Sequence, residues 1–185
     1  MDPIIIPLAK GFEEIEFSAT VDILRRLDVP VVTAGVEARL AEGFHGLVMQ
    51  ADMLLVDVDA ALYSGVILPG GPASWTLRDT PAVRRLVRDM NAAGKLVAAI
   101  CAAPIVLQAA GVLKGRRVTA YPDPSVTGEL TDPLEITSDA VVRDGNIVTG
   151  RGPCAAFAFA FALAGHVGVP GSKIQEMKKA MCLSE

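Results

Sequence analysis

The feature that most constrains this chain is the stretch from Lys95 to Pro104, KLVAAICAAP, where an apolar run of strand length passes straight through a cysteine into a helix start. Leu96, Val97 and Ile100 predict a short strand, and Ala-Ala-Pro opens a helical pattern through Ile105, Leu107 and Ala109. Cys101 therefore falls on the hinge between the two. In an open α/β sheet such a side chain stands above the carboxyl ends of the strands, and the following helix turns its free N–H groups and positive dipole end towards it. Those surroundings favour a thiolate. Ala99 and Ala103, two residues to either side, supply the small side chains that a tight nucleophile elbow requires. The competing reading is a buried cysteine acting as a small hydrophobe. Placement, not residue type, decides between them.

A chain of 185 residues is expected to form one domain and to bury a substantial core without staples. With 51% of its residues hydrophobic and 21% charged, it suits a sheet covered on both faces or a subunit with a large apolar interface. The net charge of −4 and the lack of any dense Lys/Arg run argue against nucleic acid or an anionic membrane as main partner. The three cysteines, Cys101, Cys154 and Cys182, have no metal-ligand spacing, and an odd number makes a poor disulfide framework. With two histidines besides, no metal site is expected. Asp2 and the absence of a basic segment before the first apolar run argue against a secretory signal, so the compartment is read as reducing and cytoplasmic. From Gly152 to Ser172 the chain has no charge if His166 is neutral, which raises the question of a membrane helix. Pro153, Pro170, Gly165, Gly168 and the many alanines favour a buried helix instead.

Along the chain, Pro3 to Leu8 reads as a strand and Glu13 to Leu27 as a helix with two apolar stripes, one of Ile15, Ala19 and Ile23 and one of Phe17, Val21 and Leu24. Two stripes need two surfaces, which predicts packing on the sheet with one and on a partner subunit with the other. Strands follow at Val29–Ala34, Asp52–Asp59 and Gly65–Leu68, with a hairpin or irregular excursion between Gly35 and Asp52 that bends near His45 and Gly46. Pro69-Gly70-Gly71 frees the backbone to turn sharply and expose N–H groups. Pro81 to Met90 is helical, with Thr80 as N-cap and Gly94 at its close. Arg116–Ala120, Leu134–Thr137 and Ala140–Thr149 read as β segments, the last broken at Asp144-Gly145. Ala155–Gly165 alternates Phe and Ala with a strand-like period, but alanine disfavours strands and Gly-Pro precedes it, so it is assigned helix, as is Ser172–Cys182. Strands alternating with helices predict a doubly wound, mostly parallel α/β sheet with helices on both faces.

Four stretches, Lys10-Gly-Phe-Glu-Glu-Ile-Glu16, Leu68-Pro-Gly-Gly71, Ala98-Ala-Ile-Cys-Ala-Ala-Pro104 and Arg151-Gly-Pro153, occur in an order and at spacings that resemble the ThiJ/PfpI superfamily, in its parkinsonism-protein and YajL-like branch. The likeness runs over nearly the whole chain. It implies a flavodoxin-like fold of the class I glutamine amidotransferase type. It implies Cys101 as nucleophile and Glu16 as the carboxyl group bonded to it. A glutamate partly buried beside an anionic sulfur is raised by desolvation and like charge, and can then donate to the sulfur and act as general acid or base. The alternative for a first-turn glutamate is a solvated side chain offsetting the helix dipole, which suits Glu13 and Glu14 better than Glu16. The backbone N–H groups of Gly71 and Ala102 would hold an oxyanion, with Gly70 and Tyr121 completing the substrate site.

Departures from the family pattern matter. Ala102 stands where protease-like relatives have a histidine, which disfavours peptidase activity. Tyr121 replaces the histidine of the parkinsonism-protein branch; it can donate a hydrogen bond but cannot serve as a base near neutral pH. Cys154, usually glycine, could pair with an oxidised Cys101, although a packed thiol is favoured. Arg25 and Arg26 align with residues near a dimer interface in relatives, and they also suit a last helical turn. His45 and His166 are assigned no role. The leading expectation is a cofactor-independent glyoxalase or deglycase acting on methylglyoxal, glyoxal or their adducts, in a homodimer built through the first helix. The competing one is a redox-sensing stress protein or holdase chaperone with Cys101 as the oxidisable sulfur.

Overall fold

A computed structural model describes residues 1–183. Its centre is a seven-stranded sheet in the order β10-β11-β7-β6-β1-β2-β5. The elements in chain order are β1 (Ile4–Leu8), α1 (Glu14–Arg26), β2 (Val31–Gly35), β3 (Leu40–Glu42), β4 (Val48–Gln50), β5 (Met53–Leu54) and β6 (Gly65–Leu68), then α2 (Ala73–Asp79), α3 (Pro81–Ala92), β7 (Leu96–Ile100), α4 (Pro104–Ala109) and β8 (Arg117–Thr119). The chain ends with α5 (Pro124–Thr127), β9 (Glu135–Thr137), β10 (Val141–Asp144), β11 (Ile147–Gly150), α6 (Ala156–His166) and α7 (Gly171–Ala180). All pairings in the large sheet are parallel except β10 with β11, which are joined by a turn at Gly145 and Asn146.

Every residue of β1, β6, β7 and β11 is buried. This is why these strands read as apolar runs without alternation: helices cover both faces of a parallel sheet. After β1 the chain moves outward to β2 on one side, then returns to lay β6 and β7 on the other. Right-handed crossovers therefore put α1 and α3 on opposite faces and open a crevice between the carboxyl ends of β1 and β6.

The helix α6 shows why its period-two sequence was no strand. Ala156, Ala160 and Ala164, four apart, form one buried face, while Phe157 points out and Phe159 inward. The helix α1 packs closely on α6. Burying Phe159 contributes about 2–3 kcal/mol. With 11 residues α6 is too short to span a bilayer, and among the described residues no helix is long and apolar enough to cross a membrane.

Several expectations need correction. Asp52–Asp59 is not a full strand: β2 ends at Gly35, so β5 finds partners only at Met53 and Leu54 and the chain coils into a 3₁₀ turn from Leu55. The helix α2 was not anticipated. Thr80 stands at the N-cap of α3 but gives no cap bond, because its hydroxyl donates to the Thr76 carbonyl. The first stripe of α1 divides, with Ile23 fully buried and Ile15 exposed. Finally, β8 stays outside the main sheet, pairing with β9 in a separate parallel ribbon.

Candidate active site

The elbow lies where the sequence placed it. Cys101 has φ +64°, a left-handed conformation that costs a non-glycine residue about 1–3 kcal/mol. Two bonds hold it there: the Cys101 N–H donates to the Gly150 carbonyl of β11, and the Cys101 carbonyl accepts from the Tyr121 N–H, both at 2.9 Å. The neighbouring strand and the loop after β8 thus clamp the strained peptide from both sides. The sulfur-bearing residue is 7% exposed and lies at the floor of a cleft of about 320 Å³.

Gly70 makes room for this elbow, alongside the fully buried Ala99 and Ala103. A Cβ on Gly70 would lie 2.5 Å from the Cys101 Cβ and 2.5 Å from Glu16 Oε2. Its N–H donates to that same Oε2 at 2.8 Å. Gly71 has φ +81°, and a side chain there would meet the Gly11 carbonyl at 2.5 Å. The bend turns the Gly71 N–H towards the Cys101 sulfur, which the Ala102 N–H also reaches.

Glu16 comes from the first turn of α1 and is 0% exposed. Its N–H donates to Oε2 of Glu13, the N-cap of the same helix, at 2.7 Å, which fixes the turn that carries it. The other carboxyl oxygen, Oε1, is buried without a conventional partner, and the Cys101 thiol is within hydrogen-bonding reach of the carboxyl group. Burial pushes Glu16 up to about 7, and the nearby Glu13 charge adds to the rise. The Cys101 thiol is pushed up as well, by burial first and by the Glu16 carboxylate next, while the Gly71 and Ala102 N–H groups pull the other way.

The backbone donors expected at the sulfur, from Gly71 and Ala102, are in place, and burial beside the Glu16 carboxylate works against them. Cys101 and Glu16 titrate as one unit. The pair loses its first proton near neutrality, becoming a monoanion in which sulfur and carboxyl share the proton that remains. A thiolate is available in this state only with its proton parked on Glu16.

Of the remaining anticipated residues, Tyr121 lines the cleft beside Cys101, half-exposed. Cys154 is exposed, not packed, and lies on the wall of an adjacent cleft that shares Tyr121 and Pro153 with the first. Glu13 and Glu14 are buried rather than solvated. Glu14 accepts from the His45 N–H at 2.6 Å and pairs with its Nδ1 at 3.0 Å, so His45 is more than a free loop residue. Arg25 pairs with Asp52 and Arg26 with Asp22 within the chain. Ligating atoms of Glu13, Glu14 and His45 lie within 4.8 Å of one another, but Glu14 is spent on His45 and one Glu13 oxygen on Glu16.

Sequence reasoning missed Glu13, Phe44, Trp75 and Asp123, all of which line the cleft. Asp123 had a readable signal, Asp-Pro-Ser at a helix start, where its carboxyl group accepts from the Ser125 N–H and hydroxyl. Glu13 stands three residues before Glu16, the spacing of an N-cap with its acceptor role. Nothing local marks Phe44 or Trp75.

The match to the DJ-1/PfpI family covers residues 3–165. The chain belongs to the DJ-1/PfpI family. Among its relatives is the dj-1beta protein of Drosophila melanogaster, 35% identical over 183 residues, covering 97% of this chain and 96% of that one. The crystal structure of the same fly protein superposes with a TM-score of 0.92 at 33% identity, covering 100% of this chain and 99% of that one. A protein named as a glutathione-independent glyoxalase of Caenorhabditis elegans is 31% identical over 174 residues, 94% of this chain and 91% of its own. One named as a deglycase of Pyrococcus abyssi is 32% identical over 151 residues, 81% of this chain and 90% of its own. The DJ-1/PfpI fold thus carries the elbow, the glycine turn and the buried glutamate of this chain as one unit at the crevice between β1 and β6.

Proposed function

We propose that this protein is a cysteine-dependent glyoxalase or deglycase that converts 2-oxoaldehydes such as methylglyoxal or glyoxal, free or as adducts, into 2-hydroxy acids, with no metal or organic cofactor taking part. Cys101 sulfur adds to the aldehyde carbon, the carbonyl oxygen develops charge where the Gly71 and Ala102 N–H groups point, and the proton held on Glu16 passes to that oxygen, leaving Glu16 ionised. In the hemithioacetal the hydrogen on that carbon becomes acidic through the adjacent ketone. Glu16 removes it as a proton and returns it to the neighbouring carbon, leaving a thioester of the hydroxy acid. Water then cleaves the thioester, releasing the acid and restoring the sulfur. The sum is one oxoaldehyde plus one water giving one hydroxy acid. A carboxyl group poised at about 7 suits both halves of the proton transfer.

The observation that carries this reading is the fully buried Glu16 in reach of a sulfur that lies open to a cleft. The relatives named as glyoxalase and deglycase are consistent with it. The test is lactate formation from methylglyoxal by the purified protein and by Cys101→Ser and Glu16→Gln. Loss of turnover in both variants is expected; undiminished turnover in either removes that residue from the reaction.

A second reading, redox sensing, draws on the same donors: Glu16 and the two N–H groups would stabilise a sulfinate on Cys101. Selective gain of two oxygens at Cys101 under mild peroxide, seen by intact mass, is its signature. We also propose a homodimer: Ile15 on α1 and Leu40, Leu47 and Val48 on the hairpin are large apolar side chains left exposed. A monomer in sedimentation at micromolar concentration would contradict it.

A further inference from the structure

The walls of the cleft over Cys101 have a composition that the chemistry at its floor does not require. Three aromatic side chains line it, Phe44, Trp75 and Tyr121. So do two carboxylates, Glu13 and Asp123, and no lysine or arginine. Its one basic side chain, His45, is committed through Nδ1 to the buried Glu14. Each wall carboxylate keeps an oxygen free. Glu13 uses Oε2 for the Glu16 N–H, and Asp123 uses Oδ1 for Ser125. Ser125 also holds Asp123 below the usual carboxylate range, so it stays charged in any physiological buffer. Trp75 is fixed at its far end by a hydrogen bond from Nε1 to Glu129, leaving the indole ring as a wall. The Phe44 ring is steadied by the His45 ring, at 4.7 Å between centroids.

Aromatic faces and unpaired carboxylates around one opening attract cations by quadrupole and by charge, and they repel carboxylates and phosphates. From this juxtaposition of Phe44, Trp75 and Tyr121 with Glu13 and Asp123 above Cys101, we infer that the cleft selects a cationic ligand, a carbonyl compound carrying a guanidinium or ammonium group. This rests on the reading of Cys101 as a nucleophile towards carbonyls and specifies which carbonyls it meets. The cation lies between the aromatic walls with the free oxygens of Glu13 and Asp123 beside it, and the carbonyl carbon faces the sulfur below. A neutral oxoaldehyde enters without gain or penalty, whereas an anionic oxoacid or phosphorylated dicarbonyl is turned away.

The test reads charge selectivity without relying on turnover. Cys101 is alkylated with iodoacetate, iodoacetamide and (2-bromoethyl)trimethylammonium, followed by peptide mass spectrometry, and each rate is divided by that reagent's rate with a small neutral thiol. The normalised cation-to-anion ratio is expected to reach about tenfold or more at low salt and to shrink at 0.5 M salt, as exposed charges are screened. Asp123→Asn should lower the ratio about threefold, through the charge it removes. Trp75→Leu should slow the cationic reagent while leaving iodoacetate as it was. A ratio of one or below overturns the inference. So does a high ratio unchanged in both variants, since the selectivity would then belong to the Cys101–Glu16 monoanion alone. Methylglyoxal turnover measured alongside separates the two claims: its absence with selective alkylation intact removes the glyoxalase reading and keeps the cation-selective cleft.

Discussion

Two glutamates two residues apart on the first turn of α1 met opposite fates. Glu14 and Glu16 are 6% and 0% exposed, so both lost their water on folding. Burial pushes Glu14 up, but the His45 ring and backbone N–H outweigh it, and Glu14 ends below its ordinary value. Glu16 faces the other side of the helix, where it accepts one N–H from Gly70 and meets a thiol that is itself an acid, and it is pushed up to about 7. Desolvation sets the cost of a buried charge, and the donors supplied decide whether the charge survives. The fold ionises the carboxylate that anchors the hairpin to α1. It keeps the one beside Cys101 poised between states.

The sharpest way to break this contrast is to crowd one side of it. Gly70→Ala puts a Cβ into both the elbow and Glu16 Oε2. It is expected to reduce Cys101 alkylation by about a hundredfold or to cost about 2–4 kcal/mol of stability, measured by alkylation kinetics and urea unfolding. Gly43→Ala crowds only Glu14, whose side chain can move. Its effect should be confined to stability and be much smaller.

Next in size is removal of the poised proton. Wild-type Cys101 alkylation should rise through an inflection near 7, where the pair loses its first proton. In Glu16→Gln that inflection should vanish, with the rate at pH 7 down by about tenfold or more. An unchanged profile would show that the two groups do not titrate together.

Stability should follow the same asymmetry with opposite signs. Glu16 has a folded pKa raised from 4.5 to about 7, so the stability it contributes is complete below 4.5 and is lost as pH rises through 7. The loss is at most about 3 kcal/mol by linkage. Glu16→Gln should therefore gain on the wild type between pH 5 and pH 8 in urea titrations. Glu14, lowered in the fold, stabilises above its unfolded pKa and loses that contribution as pH falls through its folded value. Glu14→Gln should cost about 1 kcal/mol at pH 7 and less in acid. The smallest effect is expected for His45→Ala, which removes the exposed ring and leaves the backbone N–H on Glu14, costing about 0.5 kcal/mol at pH 7 by thermal melting.

The elbow was legible because strand, cysteine and helix start are adjacent in the chain, and α6 because alanine content and a preceding Gly-Pro outvoted its period of two. The two stripes of α1 were legible as a pattern but not as an outcome: Ile23 went inward and Ile15 stayed out on a helix that packs against α6. The short β5 could not be foreseen, because its length is set by where β2 stops. The residues of the cleft walls come from four separate loops and helices, and local pattern carries no record of such meetings.

The order of residues alone determined the alternation of strands and helices, the sharp turn at Cys101 and the glycines after β6, because each follows from backbone freedom and the burial of neighbouring side chains. The tertiary structure decided the acid–base character of the site. Whether a carboxyl group is charged depends on which donors and which low-dielectric walls surround it, and those arrive from β6, β7, the hairpin and α5, distant in the chain and brought together only by the packed sheet.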